Sequence, residues 1–400
     1  MAFLHGVEVI EVDTGARPIR TVRSGVIGIV GTAPDADAAA FPLNTPVLIA
    51  GNRTEAAKLD AVGDGNGTLP GALDGIFDQI GAVVIVVRVD EGLDEDETLA
   101  NIVGGVNAGT GQYEGVHALA GAESVVGHTP RILCAPGWTH QRIDDGVNPP
   151  MANPVVAELE GIAARLRAVI VADGPNTNDT DAQAYAGDWG TSGRVYVIDP
   201  WVKVMNGDGD IVVEPASARV AGVLARTDND AGFWHSPSNK GIFGIVGTAR
   251  PVDFKLGDAA SRANLLNENN VTTIIRQDGF RLWGNRVPTG DPKWQFISVR
   301  RTADILHESL QRAHMWAVDR NITKTYLEDV ADGVNGYIAQ LVELGALLGG
   351  RCFPDPDLNT PAAITEGKVY FNLEFTPPYP AEHITFRSHL VDTYITEALS

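Results

Sequence analysis

Cysteine is nearly absent: the 400 residues hold only Cys134 and Cys352, far apart in apolar surroundings and without a Cys-x-x-Cys pair. That weighs against a disulfide framework and fits a reducing compartment, with both residues as buried thiols. Positive charge is scarce too, since 30 Lys and Arg face 51 Asp and Glu, for a net charge of −21 and a sequence pI near 4.7. General attraction to nucleic-acid phosphates is not expected of such a chain, and the acidic balance favours solubility. No run approaches about 18 consecutive apolar residues, the length that spans a bilayer. The start, MAFLHGVEVIEVDTG, has no basic segment and no apolar core of signal-peptide length. No membrane insertion is expected, and the chain reads as made and used in cytoplasm.

The common catalytic constellations are missing as well. The glycine-rich stretches 63–67 and 104–111 contain neither Gly-x-Gly-x-x-Gly after a strand nor a Gly-Lys-Ser/Thr ending, so they read as loops. Asp208 and Asp210 flank Gly209 in a turn, without the further carboxylates of a calcium loop. The nine histidines are dispersed, and His307 and His314 sit seven residues apart with no third ligand nearby. Residues 190–193 (GTSG) lack the Gly-x-Ser-x-Gly elbow. The acidic run 90–97 reads as a solvated loop. No cofactor is expected.

What is present is an ordinary globular composition, 44% hydrophobic and 20% charged, long enough for two or three domains. Continuous apolar runs at 26–31, 46–50, 82–89, 131–135, 168–172 and 194–199 predict strands, with helices near 53–60, 70–80 and 153–167 between them. Runs apolar on both faces and separated by helices imply a largely parallel sheet covered on both sides. A hairpin turned by residues 206–209 and a helix over 215–226 follow. The hexapeptide GIVGTA of 28–33 recurs at 244–249, which predicts two strands of similar burial. Residues 233–240 have the turn-rich composition of a boundary.

In the carboxy-terminal half, residues 294–299 alternate and predict a half-buried strand, after which Thr302 caps a long amphipathic helix. Ala303, Leu306, Leu310, Ala313 and Ala317 share one face of it, and Glu308 and Arg312 form an ion pair on another. A second helix is predicted over 325–348, with Leu327, Val330, Val334, Ile338, Leu341, Val342 and Leu348 on one face and Gly349-Gly350 at its end. Its internal glycines Gly333, Gly336 and Gly345 suit close approach of another backbone. Residues 353–367 have linker composition. Beyond them Val369, Phe371, Leu373 and Phe375 alternate with polar residues, and a second strand follows over 384–390. The segment 5–12 is one more short strand candidate, suited either to the edge of its own domain or to a neighbouring subunit.

The segments LWGNR (282–286), WQFISVRR (294–301) and AHMWAVDR (313–320), with the strand-rich tail after Phe371, resemble the sheath protein of contractile phage tails and pyocin-like particles. The resemblance implies α/β and α+β architecture: an amino-terminal arm (1–22), an outer α/β domain (23–235), an inner α+β domain (236–352), and a linker with a carboxy-terminal strand arm (353–400). It implies a structural subunit, not an enzyme, that forms hexameric rings stacked helically around a tail tube and contracts to drive the tube through an envelope. Its implied partners are other copies of itself, the tail tube protein, and baseplate and tail terminator proteins. It places the product in a virion tail assembled in host cytoplasm. Strand exchange between subunits would use Val7, Val9, Val369, Phe371, Leu373, Phe375, Ile384 and Phe386. Arg301, Arg312, Arg320 and Lys324 are candidates to face an acidic tube, against local pairing with Asp304, Glu308, Asp319 and Glu328. The alternatives are an α/β enzyme with an unrecognised pocket and another self-assembling shell protein.

Overall fold

The computed structural model describes residues 18–144, 146, 150–392, 394 and 395. Strand β1 (Ile27–Thr32) is buried throughout, and β2 (Val47–Ala50), α1 (Arg53–Ala56), α2 (Leu69–Phe77) and β3 (Val83–Val89) follow. Asp94 caps α3 (Glu95–Val103), after which the small ladder of β4 (Gly105–Val106) with β5 (Tyr113–Glu114) and helix α4 (Ala122–Val126) lead into β6 (Ile132–Cys134). Helix α5 (Pro154–Leu166), capped by Asn153, β7 (Val169–Asp173), α6 (Asp179–Asp188) and β8 (Val195–Ile198) continue the alternation. The predicted hairpin is β9 (Val202–Met205) with β10 (Ile211–Glu214), and α7 (Ser217–Asp230) follows it.

The later elements are β11 (Gly247–Thr248), α8 (Arg262–Glu268), β12 (Val271–Arg276), β13 (Phe280–Trp283) and the long helices α9 (Ile297–Ala313) and α10 (Lys324–Glu343). The chain closes with β14 (Gly349–Pro354), α11 (Pro361–Thr365) and β15 (Phe371–Thr376).

Eight strands form one sheet in the order β13-β12-β8-β7-β6-β1-β3-β2, parallel except at its two edges. Alternate residues feed two cores. Ile27 and Ile29 face α2 and α7 with Ile76, Val220 and Leu224, whereas Val30, Ile85 and Val87 face Leu159 and Ile162 of α5. Burial on both faces explains why these strands read as continuous apolar runs. A third core joins α9, α10 and the β14–β15 pair through Ile305, Leu306, Val334, Ile338 and Leu341. Ile19 is buried in it, so the expected 1–22 arm is docked onto the body from Ile19 onward.

Several expectations are corrected. Residues 294–299 are not a strand: a turn of 3-10 helix covers Pro292–Trp294 and α9 begins at Ile297. The first turns of α9 are buried nearly all round, so alternation carried no periodic signal there. Thr302 lies inside the helix, where its hydroxyl donates to the Ser298 carbonyl at 2.7 Å. Helix α10 stops before Gly345, whose φ of +78° suits the left-handed turn, and Gly349 and Gly350 instead open β14. Val342 and Leu348 are exposed, and Gly333 and Gly336 look into open space within the chain. The second GIVGTA copy holds only the two-residue β11, with Val246 exposed and Gly244 at φ +74°. The expected boundary at 235/236 does not end the sheet, because β12 pairs in parallel with β8. Residues 353–367 are more than a linker, since they include α11.

Candidate assembly surfaces

Helix α9 lies beneath the amino ends of three parallel strands, and arginines just before those strands reach its carboxylates. Arg131, next to β6, pairs with Glu308 at 2.8 Å, and Arg167, which ends α5 before β7, lies 3.5 Å from the same carboxylate. Arg194, before β8, grips Asp304 with two nitrogens at 2.6 and 3.0 Å, and Arg300 reaches Asp304 at 2.7 Å. Arg301 forms a two-pronged pair with Asp228 of α7 at 2.6 and 2.5 Å and donates to the Ser24 carbonyl. Planar forks matched to carboxylates are strong when desolvated. Burial opposes ionisation of Asp304, but Arg194 and Arg300 outweigh it and hold its carboxyl below the usual range. Glu308 is held low in the same way, by Arg312 and Arg131 against partial burial.

This geometry corrects the tube-facing set. Arg301 has only 4% of its side chain exposed and points into the chain, so it is not available to a tube. Arg312 bridges Glu308 at 2.8 Å and Glu123 at 2.6 Å, the expected ion pair extended to the sheet unit. Arg320 stays exposed, stacked 5.2 Å from the Trp316 ring, and Lys324 projects outward with Glu328 3.5 Å away.

The strand-exchange set divides likewise. Val7 and Val9 lie outside the described residues. Phe371, Leu373 and Phe375 belong to β15, which pairs antiparallel with β14 of the same chain and packs against the third core. Val369 lies two residues before β15. Asn335 already satisfies the Cys352 backbone, accepting from its N–H at 2.7 Å and donating to its carbonyl at 2.9 Å, so α10 covers one edge of this two-stranded sheet. Among the described residues no further strand pairs with β15. Beyond it the chain runs without regular structure over 377–391, with Ile384 67%, Phe386 91% and Leu390 wholly exposed.

At the carboxyl ends of the parallel strands, where open α/β sheets bind ligands, the crevice is filled by the chain's own groups. Asp173 accepts from the Ser217 backbone N–H and hydroxyl at 2.8 and 2.6 Å, and burial raises its pKa to about 6. Arg250 joins buried Asp199 to Asp179. Asn206 accepts from the backbone of Asp208 and Asp210 and makes their turn. His307 packs edge-on against Phe375, and no group of three metal-binding side chains occurs among the described residues.

Residues 24–89 match the amino-terminal region of domain III of tail sheath protein Gp18, 111–287 the phage tail sheath central domain, and 289–390 the phage tail sheath C-terminal domain. The putative prophage major tail sheath protein of Pseudomonas aeruginosa (strain UCBPP-PA14) is 41% identical over 100% of this chain and 99% of its own length. The chain belongs to the phage tail sheath family. The tail sheath protein of Escherichia phage P2 is 34% identical over 99% of this chain and 98% of its own. The same fold occurs in the contracted helical sheath of the anti-feeding prophage, at TM-score 0.69 and 18% identity over 97% of this chain and 99% of that one. The contracted sheath of the PVC extracellular contractile injection system gives TM-score 0.68 at 17% identity over 98% and 99%. This sheath chain is a structural protein rather than an enzyme. The family's central domain ends at 287, just ahead of α9.

Two outcomes follow from the buried charges. Arg301→Met leaves Asp228 buried and unpaired and should cost about 3–5 kcal/mol, with most recovered by adding Asp228→Leu, both read from urea unfolding. The pH dependence has two opposed parts. Asp304 and Glu308, depressed in the fold, contribute stability above an unfolded pKa of roughly 4 that is lost as pH falls through their folded values. Asp173, raised to about 6, binds a proton that the unfolded chain does not, so stability falls as pH rises between roughly 4 and 6. Urea midpoints measured against pH should therefore peak in mild acid, and a monotonic rise from strong acid to neutrality would contradict this.

Proposed function

We propose that this chain polymerises as helically stacked hexameric rings around a tail tube, and that contraction of the lattice drives the tube through the target envelope. Membership of the sheath family supports the reading, and the single observation that carries it is the exposed apolar segment that follows β15. Ile384, Phe386 and Leu390 are exposed, and among the described residues no second strand pairs with the free edge of β15. A neighbour's strand added to that edge would satisfy backbone groups and cover apolar side chains together.

In this arrangement β14 and β15, with Phe371, Leu373 and Phe375, form the receiving sheet. Ile384 and Phe386, and on the amino-terminal side Val7 and Val9, belong to the donated strands, and Val369 leads into the receiver. The work of contraction requires two packings of one sequence with the second lower in free energy, and no nucleotide need be consumed. Beyond other copies of itself, the partners are the tail tube protein, with Arg320 and Lys324 facing it, and baseplate and tail terminator proteins. The body of residues 23–287 lies outside the α9–α10 unit, and the particle is assembled in host cytoplasm.

The purified chain is expected to form tubes or rings visible by negative stain. Removing residues 1–15, or everything after Thr376, should leave a monomer with a cooperative melt that makes no tubes. Normal tubes from either truncation would defeat the exchange model. Reversing charge at Arg320 and Lys324 together should weaken co-assembly with tube protein at least severalfold and spare self-assembly. Co-assembly unchanged at every salt concentration would remove these residues from the interface.

A further inference from the structure

The two edges of the eight-stranded sheet carry opposite charge. At one edge lies β13, bordered by residues 239–242 through backbone bonds of Asn239, Lys240 and Ile242 to Leu282 and Phe280. Lys240 and Arg276 make no ion pair there with any described residue, and the Arg276 guanidinium lies 5.6 Å from the Phe280 ring. Arg281 spends its nitrogens on Gln277 and Asn239 oxygens. Phe254 packs edge-on against Trp283 of β13 and brings the exposed Lys255 to the same side. Asp278 is the one carboxylate of the β12–β13 turn. At the other edge, residues 35–64, which hold β2, and 90–97, which leave β3, contain eleven Asp and Glu against two Lys and Arg. Both of those cations are held locally, Arg53 by Asp74 and Asp78 and Lys58 by Glu55.

Both edges present their exposed charge at the same height along the strands. The row Val84, Ile27, Ile132 and Val169 crosses four strands, and four residues further on Asp173 pairs with Ile198 and Ile198 with Thr272. Thr272 is therefore level with Arg88. Arg276, and Arg281 opposite Ile275, lie two to three rows beyond Val89, the end of β3. At about 3.3 Å per row that is where Asp90, Glu91 and Leu93 emerge. Asp94 accepts from the Glu97 N–H and Glu97 from the Leu93 N–H, so Leu93 is held on a defined turn with 98% of its surface exposed. On the basic side the matching apolar group is Phe243, 53% exposed, next to Ile242, whose N–H donates to the Phe280 carbonyl.

Height along the strands corresponds to distance from the tube, because α9 lies at the amino ends of β6, β7 and β8 and the proposed assembly sets it inward. Rotation about one axis and translation along it keep every residue at its own radius, so surfaces that meet between copies must have similar height. Five strand spacings of about 4.8 Å put roughly 24 Å between β3 and β12, so a chain cannot join its own two edges. We propose that the Lys240–Arg276 edge of one copy receives the Leu93 turn of a second copy, side by side at one radius. Leu93 then packs against Phe243, and Asp90 and Glu91 stand among the cations. Such a contact is heterologous, and it closes into a ring or continues as a helix. It rests on the helical assembly proposed above and assigns one contact of that lattice.

The concentration at which tubes appear tests the contact, with a thermal melt of each variant as the folding control. No tubes from the unaltered chain would overturn the assembly reading and this contact together. Given those tubes, Asp90→Lys/Glu91→Lys and Lys240→Glu/Arg276→Glu should each raise the threshold at least tenfold, and combining the two pairs should restore most of it. Leu93→Ser, with its charges intact, should raise it severalfold. Normal assembly of either charge pair, or a combined variant no better than the worse pair, overturns the contact and leaves self-assembly standing. Independently of thresholds, a chain carrying both Leu93→Cys and Phe243→Cys should give a ladder of disulfide-linked multimers when its tubes are oxidised, the native cysteines being buried. Neither substitution alone should give one. Tubes of the double variant that yield no ladder also overturn the contact.

Discussion

The carboxylates of Asp304, Glu308 and Asp228 are the groups on which the arrangement of the two halves depends. Each is drawn out of water at the join between the sheet and α9, and each is tolerable there only because arginines from elsewhere in the chain arrive in hydrogen-bonding geometry. Apolar packing alone would leave α9 free to slide, since dispersion and burial are non-directional. Guanidinium groups fix the register of the helix against the starts of β6, β7 and β8. Residues 19–24 are fastened by the same device and its neighbours: Ser24 accepts from Arg301, Val22 donates to Ser309, and Thr21 meets Tyr337. The segment leaving the body toward the amino terminus therefore departs from a fixed point.

That rigidity has a counterpart at the opposite end of the sheet. In an open α/β fold the carboxyl ends of the strands are where a pocket forms, and here Asp173, Asp199 and Arg250 occupy it. The cost is visible in the raised pKa of Asp173, a carboxyl kept by burial in a state it resists. A fold suited to binding small molecules has thus been closed into a solid body, which is what transmission of force between neighbours requires.

Much of the sheet was legible because burial on two faces leaves an unbroken apolar signature, and six strands and the parallel arrangement could be read from it. Legibility failed where burial erased periodicity, as in the first turns of α9, and where the partner was remote. Arg301 looked like a surface cation because nothing near it in sequence announces Asp228, 73 positions away. Strand β15 looked like an exchanged element because its alternation describes one half-buried face without saying whose core buries it. Glu308 with Arg312 was readable, being a local pair, but the added links to Arg131 and Glu123 were not.

A body locked by internal ion pairs, with Ile384, Phe386 and Leu390 exposed beyond it, separates two tasks that a single interface would confuse. Contacts within the body are desolvated and respond little to salt, whereas exposed charges on facing surfaces are largely screened beyond a Debye length of about 8 Å at physiological ionic strength. With 51 acidic residues on every copy, stacked subunits repel unless basic surface is set opposite acidic surface, and basic surface is limited to 30 residues, several of them spent inside the body.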